Sequence, residues 1–255
     1  HAGRRCRRAA LSGLQGSGLN TRMTWIVQHR TIWIIVALVV VLRFPTLLES
    51  MYLVDDASSS AVANELLYGG TIYQTVESTR APFLYYLYYG VFLIAGQNNL
   101  LAVHVVALLF VIATAWTIRR IGVVIASAQA GTWAAIGYVI FSHTYPPRDT
   151  LAANVEIFTV LPLTLCMLSF LIGERQNCLW WLFISGLCCG VASFFRQSSL
   201  INLGVIGGYL GYICWIARTA DLRHVIRSGS AVLAGFLTFV GGMIIYHQAQ
   251  GNWND

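Results

Sequence analysis

Long hydrophobic stretches separated by short polar segments dominate this sequence. Seven of them approach the roughly 20 residues that a helix needs to cross a bilayer core of about 30 Å. They cover residues 31–48, 100–118, 121–142, 157–173, 179–195, 200–217 and 228–247. The pattern predicts an all-α fold, a polytopic membrane helix bundle with about seven transmembrane spans.

An eighth hydrophobic stretch, residues 82–96, is short and rich in tyrosine, a residue typical of membrane interfaces. If it only dips into the membrane, twelve of the sixteen arginines fall on the cytoplasmic side and four outside. If it crosses, the arginines divide equally between the two sides. Because cytoplasmic loops carry an excess of basic residues, we predict seven spans, a cytoplasmic N-terminus and a juxtamembrane or re-entrant helix in the first outer loop.

Composition supports a membrane protein. Of the 255 residues, 57% are hydrophobic and only 10% are charged, whereas about a quarter are charged in a typical soluble domain. The net charge is +6, and six arginines lie within the first thirty residues. We interpret residues 1–22 as a disordered basic cytoplasmic tail that faces anionic lipid, not as a nucleic-acid-binding arm. Residues 23–255 form the predicted transmembrane domain.

The two ends of the sequence suggest a piece of a longer protein. The first residue is histidine, and the final GNWND segment follows a hydrophobic stretch without a closing element. We therefore expect the transmembrane domain to be truncated at its C-terminus. The cysteines and histidines lack the spacing of metal ligands, so no metal site is predicted, although a divalent cation remains compatible with the sequence.

An acidic pair, Asp55 and Asp56, follows the first hydrophobic stretch. Carboxylates at a membrane surface are costly to desolvate, and they often have a function. Asp55 is suited to cap a helix that begins near Ala57, or to act as a general base towards a lipid-borne substrate. These two interpretations are compatible, since a cap fixes a side chain in place.

Under the predicted topology, charged residues of both signs collect on the outer face. This group contains Asp55, Asp56, Glu77, Arg80, Arg148, Asp149, Glu156 and Arg196. A site for a phosphorylated lipid needs both signs of charge, but outer loops of many membrane proteins are charged as well. A further arginine, Arg43, is expected to reach the outer headgroups rather than to enter this site.

Three segments resemble motifs of the GT-C membrane glycosyltransferases, the relatives of protein O-mannosyltransferases and of aminoarabinose transferase. The first is Asp55-Asp56-Ala57 with the following Ala63, Leu66-Leu67, Gly69-Gly70 and Tyr73; the second runs from Glu77 to Tyr86; the third runs from Ala192 to Ser198. The resemblance extends from Arg43 to about Tyr246. It differs from the family pattern at Asp56, where glutamate is usual, and at Arg80 and Arg196, where lysine is usual.

This resemblance implies a glycosyltransferase that moves a sugar from a polyprenyl-phosphate donor to an acceptor hydroxyl on the non-cytoplasmic face of the membrane. The acceptor would belong to a glycan, a lipid or a protein. Asp55 and Asp56 would be catalytic, with Asp55 as the base. The remaining predicted substrate-binding residues are Glu77, Arg80, Asp149, Glu156 and Arg196. Arg80 and Arg196 would hold the phosphate, and either Glu156 or Asp149 would orient the acceptor or the sugar.

The main alternative is a non-catalytic membrane protein, such as a transporter, a flippase-like module or a scaffold subunit. Transporters commonly contain inverted repeats and charged sites at mid-membrane. The sequence shows no internal repeat, and its charges gather at one face, which favours the enzyme. A truncated transferase without activity is the third interpretation.

The predicted topology can be tested by labelling single cysteines in a cysteine-free background. We expect positions 80, 149 and 196 to react from the non-cytoplasmic side and positions 120 and 223 from the cytoplasm, because this arrangement gives the inside excess of arginine. Labelling of positions 120 and 196 from the same side would contradict the re-entrant assignment of residues 82–96.

Overall fold

The structure is a computed structural model, and it describes residues 18–48, 54–72, 81–143 and 152–249. In these ranges the fold is all-helical, without a β-strand. The α-helices are α1 (Gly18–Leu48), α2 (Val54–Leu67), α3 (Phe83–Ala95), α4 (Leu100–Ile125), α5 (Ala128–Phe141), α6 (Val155–Gln176), α7 (Leu179–Phe195), α8 (Ile201–Gly211) and α9 (Leu222–Ala249). A 3₁₀ turn, Gln197–Leu200, precedes α8, and a π-helical turn, Tyr212–Ile216, follows it.

Five helical segments among the described residues are long and apolar enough to cross a membrane. They are Thr31–Leu48, Leu100–Ile125, Val155–Gln176, Gln197–Ile216 and Leu222–Ala249. Helices α3 and α7 are apolar but shorter. The all-helical prediction is therefore confirmed, and the five segments are compatible with a membrane protein, whereas the count of seven spans remains a prediction.

The boundary between the second and third predicted spans is wrong. Arg119 and Arg120 were expected in a loop, but they lie inside α4, which continues to Ile125. The turn occurs at Ala126 and Ser127, where the Ser127 side chain accepts a hydrogen bond from the Ala130 amide and caps α5. Arginine is a good helix former, so two charged residues mark a membrane surface without ending the helix.

The N-terminal boundary also differs from the expectation. Helix α1 begins at Gly18, so residues 18–22 of the predicted disordered tail are helical. Residues 1–17 lie outside the described part of the chain, as do residues 250–255.

Three of the four hydrophobic clusters among the described residues each join three or more helices. One joins α1, α4 and α5 around Val39, Val111 and Val139, and another joins α6 to α9 around Cys166 and Leu182. The third lies at the end of the bundle that carries Asp55 and joins α2, α3 and α4 to the start of α6 and the end of α7. Its buried members are Ala63, Leu84, Tyr88, Phe92, Val103, Ala107, Ala153, Phe158 and Phe195.

Helices α7 and α9 approach each other through glycine. A Cβ atom on Gly186 would overlap the carbonyl oxygen of Val232, and one on Gly235 would overlap the carbonyl oxygen of Phe183. Small residues at such crossings allow close backbone contact, which drives helix association inside membranes.

We expect Gly186→Ala to lower the thermal unfolding temperature of the detergent-solubilised protein. The added methyl group forces α7 away from α9, and such overpacking typically costs about 1–3 kcal/mol. Gly207→Ala is the matched control because no atom lies within 4 Å of a Cβ built there. Equal unfolding temperatures for the two variants would contradict the close contact.

Candidate functional site

A polar pocket of about 380 Å³ lies at the Asp55 end of the bundle. Four stretches of chain contribute to its wall: the start of α2, the residue before Pro82, the start of α6, and the junction between α7 and the 3₁₀ turn. The lining residues are Asp55, Ala81, Val155, Glu156, Phe195, Arg196, Gln197 and Ser198. The structure thus brings together three charged residues predicted from the sequence, Asp55, Glu156 and Arg196.

Asp55 reaches the pocket from the first turn of α2 and is half-buried. The helix begins at Val54, three residues earlier than the start expected near Ala57, so Asp55 lies inside the first turn and not ahead of it. The exposed amides of a first turn and the positive end of the helix dipole favour a carboxylate there. This local stabilisation does not depend on any ligand.

Glu156 and Arg196 form an ion pair across the pocket. The distance from Arg196 Nη1 to Glu156 Oε1 is 2.7 Å, and each side chain is 52% exposed. Glu156 lies in the first turn of α6, after the N-cap residue Asn154, whose side chain accepts a hydrogen bond from the Ile157 amide. An exposed pair of this kind contributes only about 0–1 kcal/mol to stability.

Arg196 stands where the helical path is interrupted. Its backbone is extended, with φ −151° and ψ 121°, between the last residue of α7 and the 3₁₀ turn. The interruption points the chain along the pocket wall, so Gln197 and Ser198 also line it. Two carboxylates and one guanidinium therefore share the pocket among the described residues, and Arg196 is already engaged by Glu156.

Asp56 lies on the other side of the same helical turn and does not line the pocket. Its side chain is only 1% exposed. Its Oδ1 accepts hydrogen bonds from the Tyr88 hydroxyl at 2.8 Å and from the Ala153 amide at 2.9 Å. The Tyr88 hydroxyl also lies 2.9 Å from the Ala153 carbonyl oxygen, so its single proton is shared between two acceptors.

Burial raises the pKa of the Tyr88 phenol far above its ordinary value, and the adjacent Asp56 carboxylate raises it further. Because its pKa is so high, the Tyr88 phenol stays protonated and acts as a hydrogen-bond donor. Tyr88 belongs to the short helix α3, which is not among the long membrane-crossing candidates. The predicted catalytic pair thus consists of one residue in the pocket and one residue in the protein interior.

His104 completes this buried group from α4. It is fully buried, and its Nε2 lies 3.2 Å from Asp56 Oδ2. That distance suits an ion pair if the ring is protonated, but the two atoms are not aligned as a hydrogen bond. Among the described residues, neither ring nitrogen of His104 has a hydrogen-bond partner.

Arg43 is buried and does not reach the headgroups, which corrects the expectation for it. Its side chain is 1% exposed within the bundle, and it interacts electrostatically with Tyr138 and Asp56. A buried arginine near a buried carboxylate lowers the cost of desolvating both charges. Arg43 therefore belongs to the interior group around Asp56 and does not line the polar pocket.

An apolar groove of about 540 Å³ adjoins the polar pocket. Its lining residues are Phe83, Tyr86, Leu87, Phe110, Leu161, Pro162, Leu165, Cys188, Val191 and Phe195. Phe195 lines both cavities, so apolar and charged surfaces meet at this residue. Such a juxtaposition fits a ligand with a hydrocarbon part and a polar head.

Sequence reasoning missed the specific contributions of Tyr88 and Ala153. A signal for Tyr88 existed, since Leu84, Tyr88 and Phe92 recur every four residues and are all buried on one side of α3. Ala153 acts through its backbone, and no side-chain pattern announces such a contact.

The other predicted site residues, Glu77, Arg80 and Asp149, lie outside the described residues. Within the described ranges, no group of three or more histidine, cysteine, aspartate or glutamate side chains is arranged to hold a metal ion.

No family model, curated protein or solved structure shows significant similarity to this chain. The functional interpretation therefore depends on the geometry of the two cavities and on the motifs in the sequence.

Proposed function

We propose that the protein is a membrane glycosyltransferase that moves a sugar from a polyprenyl-phosphate donor to an acceptor hydroxyl. One observation carries the proposal: Asp55, Glu156 and Arg196 line a single polar pocket that meets an apolar groove at Phe195. The groove is suited to the first isoprene units of a lipid, and the pocket to its phosphate and sugar.

The reaction needs a base, a nucleophile and a stabilised leaving group. Asp55 takes the proton from the acceptor hydroxyl while the acceptor oxygen attacks the anomeric carbon. A new glycosidic C–O bond forms, the C–O bond to the phosphate breaks, and its electron pair leaves with the lipid phosphate. Arg196 stabilises the charge that develops on that phosphate.

Glu156 has two parts in this scheme. Before the donor binds, its carboxylate occupies Arg196 at 2.7 Å, much as a phosphate oxygen would. When the donor phosphate displaces it, the freed carboxylate faces the same pocket and can orient the acceptor or the sugar. Arg80, Glu77 and Asp149, which lie outside the described residues, remain predicted contributors.

The topology that accompanies this proposal has seven spans, a cytoplasmic N-terminus and α3 as a juxtamembrane or re-entrant helix. The polar pocket then opens on the non-cytoplasmic face. Its support is the distribution of arginines along the sequence.

We expect Asp55→Asn to abolish transfer in the full-length protein while expression and thermal stability stay near those of the parent. Loss of a general base typically lowers the rate by about 10²–10⁴-fold, whereas losing a carboxylate at a helix N-terminus costs only about 0.3–1 kcal/mol of stability. The assay measures polyprenyl phosphate released from a panel of polyprenyl-phosphate sugars.

The matched control for Asp55→Asn is Glu65→Gln, an acid-to-amide change at an exposed position of the same helix. It should release polyprenyl phosphate at the parental rate. Parental turnover in Asp55→Asn would remove Asp55 as the base. If the parent released none from any donor, the non-catalytic interpretation would replace the enzyme.

Replacing one or the other partner of the Glu156–Arg196 ion pair should change the affinity for the donor lipid in opposite directions. Arg196→Gln should weaken binding of polyprenyl monophosphate in nanodiscs by about 1.5–3 kcal/mol, the value of a charge-assisted contact, and Arg196→Lys should cost less. Glu156→Gln should tighten binding because it removes the carboxylate that competes for Arg196.

Thermal unfolding should change little in these variants, since both partners are half exposed. Arg175→Gln, an exposed arginine in the last turn of α6, controls for the loss of one positive charge. Unchanged phosphate affinity in correctly inserted Arg196→Gln would exclude Arg196 from the donor site.

A further inference from the structure

The buried contacts of Asp56 connect the segments that form the candidate site. Asp56 follows Asp55 in α2, Ala153 precedes the cap and first turn that carry Glu156, and Tyr88 belongs to α3. The groove-lining residues Phe83 and Tyr86 lie on that same helix. One carboxylate oxygen therefore joins three separate walls of the two cavities.

We propose that Asp56 is a positioning residue, which holds Asp55 and Glu156 at a fixed separation through Tyr88 and Ala153. The proposal rests on the proposed glycosyltransferase function. It differs from the expectation that both members of the acidic pair are catalytic, because the Asp56 carboxylate is 1% exposed and faces away from the polar pocket.

Of the two hydrogen bonds that Asp56 Oδ1 accepts, the one from the Ala153 amide should affect the position of Glu156 most. Without the Asp56 carboxylate, the Tyr88 hydroxyl still has an acceptor in the Ala153 carbonyl oxygen. The Ala153 amide instead loses the acceptor at 2.9 Å, and a buried amide without an acceptor is unfavourable. The segment before α6 is therefore the part that should move, and Glu156 moves with it.

The negative charge itself is not needed for these two hydrogen bonds. An asparagine at position 56 retains a carbonyl oxygen that accepts from both Tyr88 and Ala153. Its amide group would face His104 Nε2, which can accept a hydrogen bond when the ring proton is on Nδ1. A positioning residue should therefore tolerate asparagine, whereas a residue that accepts the acceptor's proton should not.

The test combines kinetics with hydrogen exchange on the full-length protein in nanodiscs. Asp56→Ala should lower kcat on the order of 10²-fold, the cost of a misplacement of about 1 Å. The KM for the donor should stay within about threefold, since Arg196 and the groove still hold the lipid phosphate. Exchange of the peptide containing the Ala153 amide should become faster.

In the inserted protein, Asp56→Asn should retain the slow exchange and most of the turnover, while the thermal unfolding temperature falls because the buried Arg43 loses an opposite charge. Tyr88→Phe, which removes one of the two donors to Oδ1, should fall between Asp56→Asn and Asp56→Ala. The matched controls are Glu65→Ala, on the exposed face of α2, and Tyr209→Phe, in α8. Both should resemble the parent in both measurements.

Two results would overturn the proposal. If Asp56→Asn were inactive with the Ala153 amide still protected, Asp56 would take part in the chemistry itself. If Asp56→Ala left exchange and kcat unchanged, the hydrogen bonds of Asp56 to Tyr88 and Ala153 would not position the site. Should Asp56→Ala fail to insert, Asp56→Asn and Tyr88→Phe decide the question by the same two measurements.

The experiment also separates this inference from the proposed function. If the parent protein transferred no sugar, the glycosyltransferase proposal would fail. The positioning effect of Asp56 would then be tested by hydrogen exchange alone. Slow exchange of the Ala153 amide in Asp56→Ala would then overturn the positioning effect as well.

Discussion

The hydrogen bond from the Ala153 amide to Asp56 is the contact on which the geometry of the candidate site depends. It links residues 97 positions apart in the sequence and joins the start of α2 to the start of α6. Burying a carboxylate is unfavourable unless donors replace its lost water. Tyr88 and Ala153 supply those donors, so α2, α3 and the segment before α6 are stable in one mutual arrangement.

The two members of the acidic pair lie in different surroundings. Buried Asp56 stabilises the local arrangement, whereas Asp55 lines the pocket in which we propose the chemistry. Successive residues of a helix point about 100° apart, so Asp55 can face the pocket while its neighbour faces the interior. Asp55 remains half-buried beside Glu156 and Arg196, where a ligand can compete for the charges. The exposed Glu156–Arg196 ion pair can open at little cost. The buried hydrogen bonds of Asp56 cannot be replaced by bonds to water, so breaking them is unfavourable.

Hydrophobic patterning predicted the extent of some helices well. The stretch 179–195 is helical over the predicted residues, whereas Arg119 and Arg120 were misinterpreted because charge does not break a helix. The sequence motifs selected Asp55, Arg196 and, with Asp149 as a rival, Glu156, and these three residues line one polar pocket. The hydrogen bond from Ala153 to Asp56 could not be predicted from the sequence. A backbone amide has no sequence signature, and its contact depends on tertiary packing.

Charge compensation extends this arrangement from the site into the bundle. Arg43 enters from α1, is 1% exposed, and interacts electrostatically with Asp56. His104 enters from α4 and approaches the second Asp56 oxygen. A carboxylate that received only neutral hydrogen bonds would leave its charge uncompensated at low dielectric. Arg43 supplies the opposite charge and links α1 to the segments that shape the pocket, while His104 brings α4 to the same carboxylate.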